Sequence, residues 1–349
     1  MPNARKNYLR YLLAGIAALL LIALPGSVRA AQTVPPLTGV WNGYFNHFVV
    51  VECTSLAEEA VSYQLVLKSN GGGQIATLPF VLNPHSTVHL PLNGFPTQDA
   101  YGTYTIEAAP GATNASIACH TAFYRFSAAG SPAPVEYAFS IPAGLEQAGP
   151  TAGIFNSMDP EAEGAAVLNW LSIVNLDAVP FTGSVASFDQ NGNAAPDSSY
   201  PQITLAPGER LDLPLGHHVG QQIGLYTIQP SSITAPYSAF ITRFRQDSAS
   251  TFSFAFPLTA LGGSCSPEPV LASTFGPATN WGEIANPTSE TVNARIEVRN
   301  SSGTLLHQEL RVLAPRSQYH LYLNQFLGAD NVGSLRVSCV SPPGGARLL

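Results

Sequence analysis

One eleven-residue pattern occurs three times in this chain and constrains its fold more than any other feature. Residues 82–92, 205–215 and 313–323 each begin with Leu, carry Pro two residues later, and place apolar or aromatic residues six, eight and ten positions after the first Leu. Apolar residues two apart lie on one face of a β-strand. Proline lacks the N–H that a sheet ladder needs, so it ends the strand before it. The pattern therefore predicts three copies of one structural unit.

Two further patterns accompany each copy. Before it lies a stretch in which apolar and polar residues alternate, as in a half-buried strand, followed by Asn-rich or Gly-rich residues that tolerate positive φ and favour a hairpin turn. After it lies a strand-like stretch that begins with Gly. The alternating stretches are 61–67, 181–188 and 292–298, the turns are 69–73, 189–193 and 300–303, and the late strands are 102–106, 224–228 and 333–337.

These patterns predict an all-β chain of tandem antiparallel β-sandwich domains. The third domain is predicted to be shorter, because the chain has no third counterpart of the two aromatic strands that close the first two units. Those strands are 121–126 and 136–141 in the first unit and 238–244 and 252–257 in the second. The predicted boundaries are 31–37 for an extended leader, 38–147, 148–262 and 263–342 for the three units, and 343–349 for a tail.

The units resemble the immunoglobulin-like repeats found in tandem in secreted bacterial proteins. The resemblance rests on the Leu-x-Pro spacing, the Asn and Gly turns and the late Gly-x-Tyr-x-Ile strand, and it spans essentially all of the chain after residue 30. It implies immunoglobulin-like sandwiches and no particular chemistry. No Trp lies between Cys53 and Cys119, so an antibody-type domain, with a buried Trp beside its disulfide, is not expected.

The first 30 residues have the composition of a secretory signal peptide. Three basic residues in the first ten positions precede an unbroken apolar run of 13 residues at 12–24, and Val28 and Ala30 suit a cleavage site. A bilayer-spanning helix needs about 20 apolar residues, so an uncleaved anchor is the less favoured alternative. We expect cleavage after Ala30. The remaining chain has no second long apolar run, so we expect no membrane span after cleavage.

The charge of the exported chain restricts its partners. Four of the 15 Lys and Arg residues lie in the first 30 positions, whereas all 22 Asp and Glu residues follow them, so the remainder carries a net charge of about −11. Nucleic acids and anionic membranes require a basic surface, and neither is expected as a partner. Charged residues make up 11% of the chain, against about 25% in a typical soluble domain. This predicts a surface of small polar residues, as extracellular β proteins commonly have.

The chain contains four cysteines: Cys53, Cys119, Cys265 and Cys339. An even number of cysteines in an exported chain indicates disulfides. The first two lie in the first unit and the other two flank the third, so we predict the pairs Cys53–Cys119 and Cys265–Cys339. A structural zinc site is the alternative, but such a site usually has closely spaced Cys-x-x-Cys ligands, which this sequence lacks.

An Asp/Asn-rich turn at 189–193 is a candidate calcium loop. An EF-hand requires Gly at its sixth position and a bidentate Glu at its twelfth. Counting from Asp189, the Gly is fourth and the twelfth residue is Tyr200. The corresponding turns of the other two units occupy the same place, so a hairpin turn is favoured over a calcium site.

Histidines are the other candidate metal ligands. His85 and His89 would share a face of one strand, about 13 Å apart, which is too far for one ion. Together with His320 they are interpreted as solvated strand positions. His217 and His218 are adjacent in a loop without a nearby acidic or cysteine partner. We therefore expect neither a metal nor any other cofactor.

No residue pattern predicts an enzyme. The chain has no Gly-x-Ser-x-Gly motif, and residues 263–266 lack the strand–helix context of a nucleophile elbow. Acidic residues at 58–59 and 159–163 could support glycoside hydrolysis only if two carboxylates met about 5–10 Å apart across a cleft. No pattern indicates that they do, so we expect a non-enzymatic protein.

The three tryptophans are Trp41, Trp170 and Trp281, each near the beginning of a unit. Exposed tryptophans could stack on sugar rings, whereas at equivalent strand positions core packing is the simpler interpretation. We expect a structural or adhesion/binding protein of the cell envelope or surface, in the periplasm or outside the cell, with an unknown protein or glycan as partner. The alternative is a carbohydrate-binding module protein that uses exposed aromatics.

Overall fold

The computed structural model describes residues 36–109, 116–127, 133–158, 166–216, 222–246, 252–259, 269–276 and 279–340. In these ranges the chain consists mainly of β-strands. The short helical segments are an α-helix at Asn324–Leu327 and 3-10 turns at Tyr44–Asn46 and Pro196–Ser198. The predicted all-β class is confirmed. Among these described residues, no helix has the length and apolar character needed to cross a membrane. The predicted signal peptide and the tail at 343–349 lie outside the described residues.

The strands form antiparallel sheets that face each other in pairs, and each pair encloses an apolar cluster. In chain order the strands are β1 (Leu37–Asn42), β2 (His47–Ser55), β3 (Val61–Ser69), β4 (Gln74–Leu82), β5 (Thr87–Pro91), β6 (Tyr101–Ala108), β7 (Ile117–Phe126), β8 (Val135–Pro142), β9 (Thr151–Asn156), β10 (Ala166–Asn175), β11 (Phe181–Asp189), β12 (Tyr200–Leu205), β13 (Arg210–Pro214), β14 (Ile223–Pro230), β15 (Tyr237–Gln246), β16 (Phe252–Thr259), β17 (Val270–Ser273), β18 (Trp281–Ala285), β19 (Val292–Asn300), β20 (Leu305–Leu313), β21 (Gln318–Tyr322) and β22 (Val332–Cys339).

Three sheet pairs follow one another along the chain, and we call them units 1, 2 and 3. Unit 1 pairs the sheets β1-β6-β3-β4 and β5-β2-β7-β8. Unit 2 has the corresponding orders β9-β14-β11-β12 and β13-β10-β15-β16. Unit 3 pairs β17-β22-β19-β20 with a sheet of two strands, β18-β21. Among the described strands, β18 therefore has a neighbour on one side only, whereas β2 and β10 have neighbours on both sides.

A tyrosine clasp connects the two sheets of unit 1. Tyr104 on β6 is fully buried, and its hydroxyl lies 2.9 Å from the hydroxyl of Thr121 on β7 in the opposite sheet. Thr121 in turn donates a hydrogen bond of 2.8 Å to the carbonyl of Val40. The tyrosine ring lies against Gly39, where an added Cβ would come within 2.2 Å of a ring atom. Only glycine therefore fits beside this ring.

A buried asparagine fixes the Leu-x-Pro segment in units 2 and 3. The side chain of Asn175 donates to the carbonyls of Leu205 and Ala206 at 3.1 Å each. Asn286 donates in the same way to Leu313 at 3.2 Å and Ala314 at 2.9 Å. Both asparagines are fully buried. Their amides thus provide hydrogen-bond donors for the backbone carbonyls just before each Pro, since buried backbone groups require partners.

The predicted disulfide Cys53–Cys119 is confirmed. It joins directly opposed residues of β2 and β7, which are neighbours in one sheet. The disulfide of an antibody domain instead connects the two sheets of the sandwich. The β-sandwich class therefore holds, and a closer immunoglobulin relationship stays a prediction. Cys339 is also disulfide-bonded, but Cys265, its predicted partner, lies outside the described residues.

A buried arginine joins units 1 and 2. Arg210 on β13 is 4% exposed and forms a two-point ion pair with Asp212, both contacts being 2.8 Å. Its guanidinium also donates to the carbonyls of Trp41 at 2.8 Å and Gly102 at 3.2 Å in unit 1. A further bond of 3.1 Å reaches the hydroxyl of Ser172. The charge is thus fully hydrogen-bonded where it leaves water, as a buried charge requires.

An aromatic cluster lies beside Arg210 in the same joint. It includes Tyr137 and Phe139 of unit 1 together with Phe244 and Trp170 of unit 2. His47 lies among these rings, 1% exposed, with Nε2 at 2.6 Å from the hydroxyl of Tyr137. Units 1 and 2 are therefore held by apolar packing as well as by the arginine.

Candidate functional site

The candidate site is a cleft between units 2 and 3, on the side where the described part of unit 3 has the two-stranded sheet β18-β21. Trp170 on β10 lies opposite Pro214, and Trp281 on β18 lies opposite Tyr322 at the corresponding register position. Trp170 is partly buried in the aromatic cluster that includes Phe244 of β15. No described strand of unit 3 corresponds to β15, and Trp281 is 50% exposed. With no such neighbouring strand among the described residues, the ring of Trp281 faces solvent.

The cleft has a volume of about 1100 Å³, and both units contribute to its walls. Unit 2 provides Leu258 and Arg243, and unit 3 provides Trp281, Glu283 and His320. Ligand sites commonly combine apolar walls with a few convergent polar groups in a volume of about 300–1,000 Å³. The size and composition of this cleft therefore suit a small polar ligand or part of a polymer.

A buried ion pair crosses from unit 2 to unit 3 at the base of the cleft. Arg243 on β15 donates to both carboxylate oxygens of Glu283 on β18, at 2.9 and 3.0 Å. The two side chains are 7% and 14% exposed. Arg243 also donates to the amide oxygen of Asn169 at 3.2 Å, and Asn156 donates to Glu283 at 2.9 Å. This two-point geometry fixes the angle of both groups as well as their distance.

The protonation state of Glu283 follows from these neighbours. Burial acts to raise the pKa of its carboxyl, but the charge of Arg243, the hydrogen bonds from Arg243 and Asn156, and the nearby His320 together hold the pKa below its usual value. Glu283 is therefore ionised at neutral pH. A general acid in glycoside hydrolysis needs a raised pKa, so Glu283 is suited to holding the joint and to accepting hydrogen bonds.

His320 completes the polar part of the cleft. Its side chain is 12% exposed, and its Nε2 lies 4.0 Å from Glu283 and 2.9 Å from the amide nitrogen of Gln318. Burial lowers the pKa of His320, Glu283 acts to raise it, and Arg243 lowers it further, with a net lowering. The imidazole is therefore neutral at pH 7. It can accept or donate a hydrogen bond without adding charge to the site.

The ring of Trp281, which lines the cleft, is held by a second ring, that of Tyr322. Trp281 and Tyr322 lie with ring centroids 4.8 Å apart and planes tilted by 41°. Because these residues are opposed on adjacent strands, the sheet itself fixes their relative position. A half-exposed indole held by a neighbouring ring presents a firm apolar surface. Such a surface can stack on the apolar face of a sugar or on another planar group.

The structure does not bring the three tryptophans together. Trp41 is fully buried on β1, and its N–H donates to the carbonyls of Lys68 at 2.8 Å and Thr103 at 3.1 Å. It is not available to stack on a ligand. Trp170 and Trp281 occupy equivalent positions, but Trp41 lies on a different strand of its unit, so the expected equivalence holds for two of the three. Trp281 is the exposed one.

His89 is a solvated strand position as expected, whereas His85 and His320 differ from that interpretation. His85 has φ of +52° and lies in a turn before β5, so the expectation that it shares a strand face with His89 is wrong. Its side chain is 63% exposed, and that of His89 is 64% exposed. His320, by contrast, is largely buried in the cleft. No group of three or more His, Cys, Asp or Glu residues within the described ranges could hold a metal ion.

The candidate calcium loop forms a hairpin turn between β11 and the chain that follows. One carboxylate oxygen of Asp189 accepts hydrogen bonds from the N–H groups of Asn191 at 2.8 Å and Asn193 at 2.9 Å. The other accepts from the side chain of Asn193 at 2.9 Å. The carboxylate is thus occupied in shaping its own turn, as Asp commonly is. His217, His218 and the segments 159–163 and 263–266 lie outside the described residues.

Sequence reasoning missed the polar residues that carry this site. Arg243 and Glu283 are 40 positions apart, and nothing in the strand patterns indicates that they meet. The available signal was local: Glu283 lies between Gly282 and Ile284 on a strand, so it must face away from the core of its own sheet pair. A charge on that face of a two-stranded sheet marks a contact with another surface.

No protein-family model matches the chain, and no curated protein matches it. Among solved structures the chain is similar to dimeric latent PorU from Porphyromonas gingivalis, with 11% identity and a TM-score of 0.18. The similarity covers 89% of this chain and 29% of the PorU chain. The chain therefore spans less than a third of the length of that structure, and a TM-score this low does not establish a shared fold.

Proposed function

We propose that this chain is an exported, non-enzymatic structural or adhesion/binding protein of the cell envelope or surface. The observation that carries the proposal is how neighbouring units are joined. Buried charges are placed at the joints, at Arg210 between units 1 and 2 and at Arg243 with Glu283 between units 2 and 3. Such contacts favour a continuous array with a defined geometry over independent domains on open linkers. Arrays of this kind suit display and adhesion.

Export is part of the same proposal. It is supported by the signal-like composition of residues 1–30 and by the disulfide Cys53–Cys119, since disulfides persist in oxidising compartments. Fractionation of cells that express the full chain tests it directly. We expect the protein in the envelope or outside the cell, shortened by about 30 residues. Recovery of the uncleaved chain in the cytoplasm contradicts the proposal.

The partner is tested by capture. Protein that begins at residue 31 is immobilised, exposed to envelope extract, and separately applied to a glycan array. Specific, saturable retention of an envelope protein supports adhesion or assembly. The proposal of an adhesion role fails if neither source gives saturable binding and the native protein does not fractionate with the envelope.

Carbohydrate binding is the second candidate, and the exposed ring of Trp281 beside Tyr322 favours it. Trp281→Ala removes the stacking surface, and we expect glycan affinity to fall at least about tenfold, since about 1.4 kcal/mol corresponds to a factor of ten and an aromatic contact of this kind contributes about that much. Leu310→Ala is the matched control, because Leu310 is also exposed on unit 3, at 66%, but does not line the cleft. Equal glycan binding by both variants would exclude this cleft as the sugar site.

A further inference from the structure

Each unit has two turns at opposite ends of one strand. The hairpin turn precedes that strand and the proline turn, formed by the Leu-x-Pro segment, follows it. The hairpin turns are 69–73, 189–193 and 300–304, and the proline turns are 83–86, 206–209 and 314–317. In unit 1 the intervening strand is β4, nine residues long, so the two turns lie about 30 Å apart. The turns therefore mark the two ends of every unit.

The geometry of each turn is the same in all three units. Gly72, Gly192 and Gly303 have φ of +80°, +88° and +83° at the same position of the hairpin turns. The residue after proline in the proline turns also has positive φ, at +52°, +73° and +58°. A turn with Pro at its second position and a left-handed third residue is of type II. The two turn surfaces are thus repeated three times with little change.

Between units 1 and 2 these two surfaces bind each other. The N–H of Arg210, just after the proline turn of unit 2, donates to the carbonyl of Asn70 in the hairpin turn of unit 1 at 2.8 Å. A Cβ added to Gly72 would lie 2.9 Å from the carbonyl oxygen of Pro207. The contact therefore needs glycine at that turn position.

Between units 2 and 3 the same contact recurs. The N–H of Gln318, which corresponds to Arg210, donates to the carbonyl of Gln190 at 3.1 Å. A Cβ added to Gly192 would lie 2.1 Å from the carbonyl oxygen of Pro315. Two independent joints thus use one backbone hydrogen bond and one glycine–proline approach. The side chains around them differ, so the turns themselves are the common element.

Among the described residues, one copy of each surface meets no other unit, at the outer sides of units 1 and 3. The hairpin turn of unit 3 is exposed, and nothing lies within 4 Å of a Cβ added to Gly303. At the proline turn of unit 1, Pro84 and His85 are exposed. Thr87 there corresponds to Arg210 and Gln318. Thr87 lies opposite Thr54 of β2. The neighbouring hydrogen bond runs from the Ser55 N–H to the Ser86 carbonyl. In an antiparallel ladder this makes Thr54 and Thr87 a pair that exchanges no backbone hydrogen bonds. The Thr87 N–H therefore points away from the sheet at its free edge.

We propose that these two ends bind each other between copies of this chain, with the hairpin turn of unit 3 in one copy docked on the proline turn of unit 1 in the next. Thr87 N–H of one copy donates to the Ser301 carbonyl of the other, and Gly303 approaches Pro84. Because the two surfaces are different and lie at opposite ends of the array, the contact is head-to-tail and extends copy by copy, into an open chain or a larger ring.

Charge at the two ends supports a second copy as the occupant. Lys68 lies directly before the hairpin turn of unit 1, and its Nζ comes within 4.0 Å of the Cβ position of Gly208 in the proline turn of unit 2. The residue corresponding to Lys68 in unit 3 is Arg299. In the next copy it would face His85, which lies 3.2 Å from the carboxylate of Glu58. A basic residue thus faces a histidine whose other neighbour is a carboxylate.

Two variants, one at each end, test the proposal. Gly303→Asn adds a side chain where the joints allow none, and Asn tolerates positive φ, so the fold is retained. Thr87→Pro removes the donor on an edge strand whose N–H faces solvent, where Pro is tolerated. Gly276→Asn is the matched control, because Gly276 also has positive φ, at +61°, with nothing within 4 Å. Circular dichroism establishes that each variant is folded.

Sedimentation velocity measures the assembly of protein that begins at residue 31. The concentration range is about 10 μM to about 1 mM, because the internal joints form between linked units whose effective concentration is in the millimolar range. We expect the unchanged protein and Gly276→Asn to form species that grow with concentration. Gly303→Asn and Thr87→Pro should each remain monomeric. Mixed together, they should form a 1:1 dimer and nothing larger, because each retains the opposite end.

Three outcomes overturn the proposal: a monomer throughout this range for the unchanged protein, growth that both variants retain, or a mixture that stays monomeric. A dimer that does not grow indicates a self-complementary interface and also excludes the head-to-tail contact. The contact between copies rests on the proposed structural role and gives that role one partner. If this contact fails the test, the structural role itself is not overturned. Envelope capture is measured on immobilised single copies and does not require self-association.

Discussion

His47 offers the most direct test of the joint between units 1 and 2. Burial first, and the nearby positive charge of Arg125 second, lower the pKa of His47 from 6.5 to about 4. The ring is 1% exposed, and its Nε2 lies 2.6 Å from the Tyr137 hydroxyl. An imidazolium here would place a charge among aromatic rings and beside a second cation, so the folded protein keeps the ring neutral.

The size of the effect follows from the two pKa values. As pH falls below 6.5 the unfolded chain takes up a proton at His47, whereas the folded protein does not until about pH 4. In that interval the unfolded state binds more protons, so the free energy of unfolding decreases as pH decreases. A difference of about 2.5 units at about 1.4 kcal/mol per unit predicts a loss of roughly 3 kcal/mol. The stabilisation is fully present above pH 6.5.

Urea unfolding followed by tryptophan fluorescence measures this loss, because Trp41 and Trp170 lie in the two units that the joint connects. His47→Gln keeps a polar side chain beside Tyr137 but cannot become charged. We expect the advantage of the unchanged protein over His47→Gln to shrink by roughly 3 kcal/mol between pH 7 and pH 4. Groups other than His47 contribute equally to both proteins and cancel in the difference.

His89→Gln is the control, since the side chain of His89 is 64% exposed, and its pH profile should parallel that of the unchanged protein. Parallel profiles for His47→Gln and the unchanged protein would refute the reasoning. So would an NMR titration that places the pKa of His47 near 6.5. Either result would mean that water or a compensating group reaches the ring in the folded state.

Two further predictions concern buried contacts elsewhere. Glu283→Gln removes the carboxylate that forms the two-point ion pair with the buried Arg243 and should destabilise the protein by about 3–5 kcal/mol in urea unfolding, whereas Glu58→Gln, whose side chain is 88% exposed, should have little effect. Because the pKa of Glu283 is lowered, its contribution is present above the ordinary carboxyl range and is lost as pH falls through the lowered value. Gly39→Ala places a Cβ about 2.2 Å from the Tyr104 ring and should lower stability by about 1–3 kcal/mol or prevent folding. Gly71→Ala is the control, because its Cβ meets nothing within 4 Å. Thermal unfolding compares the two variants. Equal stabilities within either pair would contradict the assigned contacts.

Local patterns were sufficient to predict the strands and turns. The alternating stretch at 61–67 lies in β3, and that at 292–298 in β19. Both have buried residues at every second position, because successive side chains point to opposite faces. The glycines of the hairpin turns have positive φ, as their position in the turn pattern required. Period-two alternation and turn chemistry act over a few residues, so they can be read from the sequence directly.

Contacts between units could not be predicted in this way. Arg210 binds the carbonyl of Trp41 from 169 positions away, and Glu283 and Asn156 are 127 positions apart. These contacts depend on the angle at which one sheet pair meets the next, which no alternation pattern encodes. The same limit applies to His47, whose low pKa comes from rings in two units. The residues next to His47 in the sequence do not indicate that its ring is buried among rings from two units.

The two-stranded sheet in the described part of unit 3 is the reason to expect binding at the cleft. In unit 1 the inward face of β4 carries Leu78 and Phe80, packed in the core. At the corresponding positions of β20, unit 3 has Glu309 and Arg311, on the face that pairs with the buried residues of β19. Opposite the two-stranded sheet of the described part of unit 3, polar residues thus replace apolar ones, and Arg311 among them is exposed.

Trp281 does not follow this replacement of apolar residues by polar ones. It lies at the same uncovered side of unit 3, yet it is a large apolar residue, half exposed and held by Tyr322. The half of the indole that stays in water contributes nothing to folding, whereas it leaves an apolar surface available to a ligand. Binding sites commonly combine an exposed apolar surface with a few hydrogen-bonded polar groups, and this cleft has both. We therefore expect Trp281→Ala to lower glycan affinity at least about tenfold with only a small change in thermal stability, and a large loss of stability would assign the ring to packing instead.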